Sequence, residues 1–207
     1  MPLVHIHQIA PGVQLGLWAL SEKSPADILV EPGPELQLRL QTLGSPRRRL
    51  EVAATHALLW QMTPGERLLI SHDEAGKPLL ENRKISVSHT RGMVALMLSE
   101  DKEVALDVEY INGRVDKIAS HFLLPEEQQA TQNTLDRLEH WCAKETAYKY
   151  FSASHLGSSQ MRVRKTGRTG QQLSVDNLKD GVSLHVSCIV SEGYVLAYAV
   201  AQQGRQN

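Results

Sequence analysis

The sequence predicts an α+β protein of two similar halves, each a helix packed on a small, mostly antiparallel sheet. Its 207 residues, 42% of them hydrophobic, are enough for one large domain or two small ones with a real core. Both halves run from a helical pattern into strands, and residues 85–98 and 182–200 share a layout: a polar alternating strand, a turn with glycine, then an apolar strand. This repeat predicts halves at residues 1–107 and 108–207, with a ligand site in the cleft between them.

The first half is predicted to contain one long helix followed by strands. Residues 13–20 have the pattern of an early strand. Residues 45–62 follow helical spacing, with Ser45 as a candidate N-cap and Pro46 in the first turn. The remaining predicted elements of this half are a turn at 73–80 and three short strands within 85–111.

The second half repeats the order of helix and strand. Residues 114–130 look helical, and residues 134–151 form the strongest helical pattern in the chain. Strands return within 182–201. In the strong helix, four residues share one stripe that is predicted to pack inward: Leu138, Trp141, Glu145 and Tyr148.

Composition narrows the class of protein. The formal net charge is −1, so no overall field attracts nucleic acid or a membrane surface. No apolar run reaches membrane-span length, and the N-terminus lacks a secretion signal. Cys142 and Cys188 have neither pairing nor metal-ligand spacing. We therefore expect a soluble, reduced, cytoplasmic protein that is a monomer, with no nucleic-acid or membrane partner.

Two acids lie inside a predicted strand. In residues 104–111 (VALDVEYI), Asp107 and Glu109 are two residues apart and therefore point to the same face. One interpretation is a wet strand face. The other is a cation site, because two close carboxylates repel unless a positive charge lies between them, and oxygen ligands suit Mg²⁺.

Glu145 offers a third acid at a position where the helical stripe calls for an apolar residue. An isolated ionised carboxylate there would be costly, so a partner or cation is expected. Lys149 lies one turn further on, which also fits an ordinary surface ion pair, and Lys144 is adjacent. Three acids and two lysines together would suit a metal and a phosphate.

Taken in order, several stretches resemble one family. RRRLEVAATHALL, GKPLL, ISVSHT, ALDVE and WCAKETAYK are similar to the successive motifs of 4'-phosphopantetheinyl transferases of the larger, pseudo-dimeric type. The resemblance covers residues 48–151, and HFLLPEEQ is similar to the Phe-x-x-x-Glu segment of that family. It implies two α+β halves with the active site in the cleft. It also implies transfer of the phosphopantetheine arm of coenzyme A to a serine of an apo acyl or peptidyl carrier protein, with release of adenosine 3',5'-bisphosphate.

The resemblance also assigns roles to individual residues. Asp107, Glu109 and Glu145 would bind Mg²⁺, with Mn²⁺ as a possible substitute. The residues expected to contact coenzyme A are Arg48, Lys77, Ser88, His89, Lys144 and Lys149. Glu145, Lys149 and Asp107 would be catalytic. The base that takes the serine proton is either Glu145 or a water held by Asp107.

Three positions depart from the family pattern: Ala105 replaces a glycine, His56 an arginine, and Leu79 an aromatic residue. His56 could weaken binding of the nucleotide end or make it sensitive to pH. Two alternatives to a transferase remain at this stage. One is a non-catalytic module that binds coenzyme A or a carrier protein, and the other is a Mg²⁺-dependent pyrophosphate hydrolase.

The carrier protein itself should dock on a locally basic face, because the resemblance implies an acidic partner. Arg114 and Lys117 lie one helical turn apart and could form that face. Phe122 and Leu123 could accept an apolar helix of the carrier, or they could be core residues.

Overall fold

A computed structural model describes residues 4–29, 31–166 and 171–201. These residues fall into two compact units, within Met1–Asp101 and Lys102–Asn207. Each unit combines helices with antiparallel strands, which confirms the predicted α+β class. The boundary at 107/108 and the cleft between halves stay predictions.

The first unit is built on a four-stranded antiparallel sheet of order β1-β2-β6-β5. Its strands are β1 (Val4–Ala10), β2 (Val13–Ala19), β5 (Lys84–Thr90) and β6 (Met93–Ser99). A small hairpin pairs β3 (Ser71–His72) with β4 (Pro78–Leu79). The helices are α1 (Pro34–Thr42) and α2 (Pro46–Met62).

Helix α2 begins where the sequence predicts. The Ser45 side chain accepts a hydrogen bond from the Arg48 backbone N–H, and Pro46 occupies the first helical position. The buried face of the helix packs on β2 and β6 around Val52, Leu58 and Leu59. This packing fixes α2 on the sheet and leaves its N-terminal arginines at one end of the unit.

The second unit has a five-stranded antiparallel sheet of order β7-β11-β10-β9-β8. Its strands are β7 (Val104–Tyr110), β8 (Met161–Lys165), β9 (Gln172–Asn177), β10 (Ser183–Val190) and β11 (Tyr194–Val200). Its helices are α3 (Arg114–Phe122), α4 (Pro125–Ala130) and α5 (Thr134–Tyr150).

Helix α5 lies across β7 and β11 and forms the centre of the second core with Leu138, Cys142 and Ala147. The predicted inward stripe is wrong at its C-terminal end, because Tyr148 is 48% exposed. The covered face is rotated toward the small residues of the helix, which allow the close approach to the sheet.

Several elements were not predicted from sequence. Helix α1 lies in a proline-rich segment, and β8 and β9 are rich in polar and charged residues. The predicted helix at 114–130 is two helices, because Pro125 begins a new one after the extended Leu123 and Leu124. In the part of the chain that the structure describes, no helix is long and apolar enough to span a bilayer.

Candidate active site

Strand β7 and helix α5 bring the predicted acids together in the second unit. Asp107 is only 5% exposed, which rules out the wet strand face at this position. The Lys149 ammonium donates to Asp107 Oδ1 and to the Leu106 carbonyl, each at 2.9 Å. The predicted alternative of a simple surface ion pair between Lys149 and Glu145 therefore does not describe Lys149. It links the end of α5 to the acidic strand.

Glu109 is tied to the same helix by an aromatic side chain. The Trp141 indole N–H donates to Glu109 Oε1 at 3.3 Å. The Trp141 ring also packs edge-to-face on Phe122, with 5.0 Å between ring centroids. Trp141 is thereby held between the acidic strand and α3, and its position fixes the side of the strand on which Glu109 lies.

The acidity of Glu145 is strongly perturbed. Its pKa is raised to about 7, mainly by burial and also by the charges of Asp107 and Glu109, whereas Lys149 opposes the rise. All three carboxylates are thus close enough to interact electrostatically. Glu145 also lines an open groove of about 420 Å³ with Trp141 and Tyr148, so a substrate can reach it.

The carboxylates fit a divalent cation in their chemistry. Within residues 4–29, 31–166 and 171–201, no group of three His, Cys, Asp or Glu side chains is arranged to hold a metal ion. Burial is the main cause of the raised pKa of Glu145, and repulsion by Asp107 and Glu109, the next contribution, is nevertheless an effect that a cation would relieve. Asp107, Glu109 and Glu145 offer oxygen ligands alone, which is the donor set that Mg²⁺ prefers.

Lys144 lies in a different environment from its neighbours in the motif. Its side chain is 1% exposed, and the ammonium donates to Glu127 Oε2 at 2.7 Å and to the Phe122 carbonyl at 2.7 Å. Glu127 in turn accepts from the backbone N–H of Val163 at 2.6 Å. The ammonium is enclosed by these groups, which favours a structural role for Lys144 over the predicted contact with coenzyme A.

In the first unit, the start of α2 and the end of β5 converge on a buried acid. Glu51 is 4% exposed and pairs with Arg47 at 2.8 Å and Arg48 at 3.4 Å. His89 Nδ1 lies 3.5 Å from the same carboxylate, and His89 also hydrogen-bonds directly to Arg48. The structure therefore brings two of the predicted coenzyme A ligands, Arg48 and His89, into contact.

Arg48 and His89 line a pocket of about 120 Å³ on the surface of the first unit. Ser88 is 8% exposed and lies on the opposite face of β5 from His89, because neighbouring strand residues alternate. Lys77 lies between Gly76 and Pro78, which both line the pocket. The predicted ligands thus include three residues at or beside the pocket and one, Ser88, behind its wall.

Sequence reasoning missed two basic residues of this pocket, Arg39 and His72. Arg39 belongs to the unpredicted helix α1, and His72 lies in the short hairpin strand β3. Neither is part of a motif, and both reach the pocket only through tertiary folding. No local pattern could have indicated them.

The comparison with protein families decides the class of the second unit. Residues 103–199 match the family model of the 4'-phosphopantetheinyl transferase superfamily. The matched residues lie within the second unit and amount to slightly less than half of the chain. No curated protein matches the chain significantly. The matched range contains the three acids together with Trp141 and Lys149, so the superfamily and the acidic site coincide in sequence. The match agrees with the predicted resemblance over these residues, and it supports phosphopantetheinyl transfer in general.

Proposed function

We propose that this chain transfers the 4'-phosphopantetheine arm of coenzyme A to a serine of an apo acyl or peptidyl carrier protein, with Mg²⁺, and releases adenosine 3',5'-bisphosphate. The observation that carries the proposal is the carboxylate cluster beside Lys149, in which burial, together with the charges of Asp107 and Glu109, raises the pKa of Glu145 to about 7. Sites that tune a carboxyl group close to neutral pH are typical of acid–base chemistry.

In this proposal Glu145 accepts the proton of the attacking serine hydroxyl. In the metal-free chain the pKa of Glu145 is raised, mainly by burial, from an ordinary 4.5 to about 7, which makes it a stronger base than an ordinary carboxylate, and a cation bound at the cluster would lower that pKa. The groove beside Trp141 and Tyr148 gives the serine access to this carboxylate. The choice of Glu145 over a water held by Asp107 rests on this shift and this exposure.

Lys149 supplies fixed positive charge at the acidic cluster. Its ammonium is held by Asp107 and the Leu106 carbonyl, so it is already oriented before substrate binds. Charge that is positioned in advance stabilises the negative charge of a transferring phosphoryl group without reorganisation. Mg²⁺ held by Asp107, Glu109 and Glu145 would neutralise the pyrophosphate and stabilise the leaving bisphosphate.

The first unit would bind the phosphates and the nucleotide of coenzyme A. Arg48 and His89 lie together at the pocket, and the turn that carries Lys77 borders it. Arginine suits phosphate because its planar donors form bidentate bonds with phosphate oxygens. The enclosed Lys144 is assigned here to holding α5 in place through Glu127.

Intact mass measurement tests the transfer directly. The protein is incubated with coenzyme A, Mg²⁺ and a panel of apo-carriers. We expect a mass increase of the carrier equal to one phosphopantetheine group, lost when the acceptor serine is replaced by alanine. Coenzyme A binding without any carrier modification would instead favour a binding module. Cleavage of coenzyme A without a carrier would favour a hydrolase.

A further inference from the structure

The pocket of the first unit has basic residues that the motifs do not include. Arg39 comes from α1 and His72 from β3, and both line the pocket with Arg48. The Arg39 guanidinium donates to the Ile70 carbonyl at 2.6 Å, and its other nitrogen lies 3.3 Å from His72 Nδ1. These acceptors are neutral, so they orient the guanidinium without cancelling its charge.

Burial and the positive charge of the pocket lower the pKa values of Arg39 and His72. The pKa of Arg39 is lowered by burial and by the positive charge of Arg48. The pKa of His72 is lowered by burial and by both arginines, against a smaller opposing effect of Asp73. The charges of Arg39 and Arg48 therefore repel each other, and an anion between them would relieve that repulsion.

His56 explains why Arg39 is held in this place. His56 is 2% exposed, its Nδ1 lies 2.8 Å from the Val52 carbonyl, and its Nε2 accepts from the Ile70 backbone N–H at 3.4 Å. Burial lowers its pKa to about 4, so the ring is neutral at pH 7. His56 therefore contributes no charge. It anchors Ile70, whose carbonyl orients the Arg39 guanidinium.

We propose that Arg39 is a specificity-determining residue that, with Arg48 and His72, binds a terminal phosphate monoester, and that this group is the 3'-phosphate of coenzyme A. The arginine that the family resemblance would place at position 56 is thus replaced in function by Arg39 on a different helix. The identity of the ligand rests on the proposed function, whereas the anion site rests on the pocket itself.

The test compares two ligands that differ only in the 3'-phosphate. Binding of coenzyme A and of 3'-dephospho-coenzyme A to the full chain is measured by calorimetry for the parent and for Arg39→Met. A charge-assisted bond to phosphate contributes enough that its loss should weaken coenzyme A binding by about tenfold or more. Binding of 3'-dephospho-coenzyme A should change less than about twofold, because this ligand lacks the phosphate that Arg39 would contact.

Arg49→Met is the matched control. Arg49 is also a half-buried arginine that donates to a backbone carbonyl, that of Leu43 at 2.7 Å, but it does not line the pocket. The Arg49→Met substitution removes the same charge and the same kind of hydrogen bond as Arg39→Met. We expect Arg49→Met to bind both ligands as the parent does, and both variants to keep a cooperative thermal transition.

The outcomes separate this inference from the proposed function. If Arg39→Met weakens both ligands equally or neither of them, Arg39 does not read the 3'-phosphate, although transfer can still occur. Adenosine 3',5'-bisphosphate and adenosine 5'-monophosphate provide a second pair of probes. If Arg39-dependent preference for the bisphosphate persists in a chain that does not modify any carrier, the anion site stands and the proposed function fails.

Discussion

The two units place a 17-residue helix on an antiparallel sheet and bury a titratable side chain on each helix, with opposite consequences. His56 on α2 is buried neutral, and backbone groups satisfy both of its ring nitrogens. Glu145 on α5 is half-buried among other acids, and it lines an open groove. Burial disfavours the charged form in both cases. At His56 burial leaves a neutral ring that holds the Ile70 backbone, and at Glu145 it raises the pKa to about 7.

The same comparison holds for the charges around these residues. The first unit gathers arginines and histidines around Glu51, and the second gathers acids around Lys149. A phosphate ester and a divalent cation have opposite electrostatic requirements, so one surface cannot favour both equally. Two similar frames with opposite local charge meet both requirements in one chain whose net charge is −1.

Loss of one acid should have the largest effect. Asp107→Asn keeps the shape of the side chain and its contact with Lys149 but removes the charge. We expect transfer to a carrier to fall on the order of 10²–10³-fold at saturating coenzyme A, as for other losses of a preorganised charge. Steady-state kinetics with increasing Mg²⁺ measure this, and excess metal should restore part of the rate.

Asp176→Asn is the matched control for this prediction. Asp176 is also a strand aspartate paired with a basic residue, Arg164 at 2.7 Å, but it lies on β9. Its variant should keep the parent's rate. An Asp107→Asn enzyme with parental turnover would mean that the acidic cluster is not the catalytic site.

The two buried groups should give opposite pH dependence of stability. The folded pKa of His56 is about 4 against an ordinary 6.5, so the stability it contributes is present above pH 6.5 and is lost as pH falls toward 4. The folded pKa of Glu145 is about 7 against 4.5, so its ionisation costs stability as pH rises from 4.5 toward 7. Each effect is on the order of 3 kcal/mol across its window.

The pH dependence of the free energy of unfolding is measured by urea unfolding of the parent and of two variants, with a chelator present. His56→Gln should be more destabilising at pH 7 than at pH 4, because the parent loses the contribution of His56 at low pH. Glu145→Gln should become increasingly stabilising from pH 4.5 to 8. Slopes of the same sign in both variants would contradict the comparison. Adding Mg²⁺ should flatten the Glu145 slope if the cation binds there.

The sequence predicts the frame of this molecule better than its sites. The start of α2 follows from Ser45 and Pro46, since caps are local features. The burial of Asp107 does not follow, because it depends on α5 covering that face of β7. Lys144 and Lys149 look alike in the motif, yet tertiary packing encloses the first and leaves the second partly exposed. Arg39 has no sequence signal at all.

Removal of the lysine charge should have an intermediate effect. Lys149→Met keeps the aliphatic stem but removes the ammonium at Asp107. We expect the maximal rate to fall about tenfold to a hundredfold while the affinity for coenzyme A changes little, because the charge acts mainly on the transition state. Calorimetry beside steady-state kinetics separates the two effects.

Lys165→Met provides the comparison for Lys149. Lys165 is also paired with carboxylates of α5, Asp136 at 2.7 Å and Glu139 at 3.0 Å, but at the other end of the helix. Its loss should leave the rate unchanged. A parental rate in Lys149→Met would return Lys149 to the role of an ordinary ion-pair partner.

The smallest effect is expected at the face for the carrier protein. Phe122 and Leu123 are 3% and 5% exposed and belong to the core, which favours the core interpretation over a seat for an apolar helix of the carrier. Arg114 and Lys117 are exposed on α3 and remain candidates for contact with an acidic carrier. Exposed charge pairs at the edge of an interface change the rate of association more than the stability of the complex.

Arg114→Glu combined with Lys117→Glu should therefore raise the Michaelis constant for the carrier only a few-fold, and leave that for coenzyme A unchanged. The defect should shrink as salt rises, because screening weakens attraction in the parent and repulsion in the variant. Arg162→Glu with Lys179→Glu gives the same change of net charge on other exposed positions of the same unit. If both double variants show the same salt-dependent defect, the carrier responds to total charge and α3 is not its docking face.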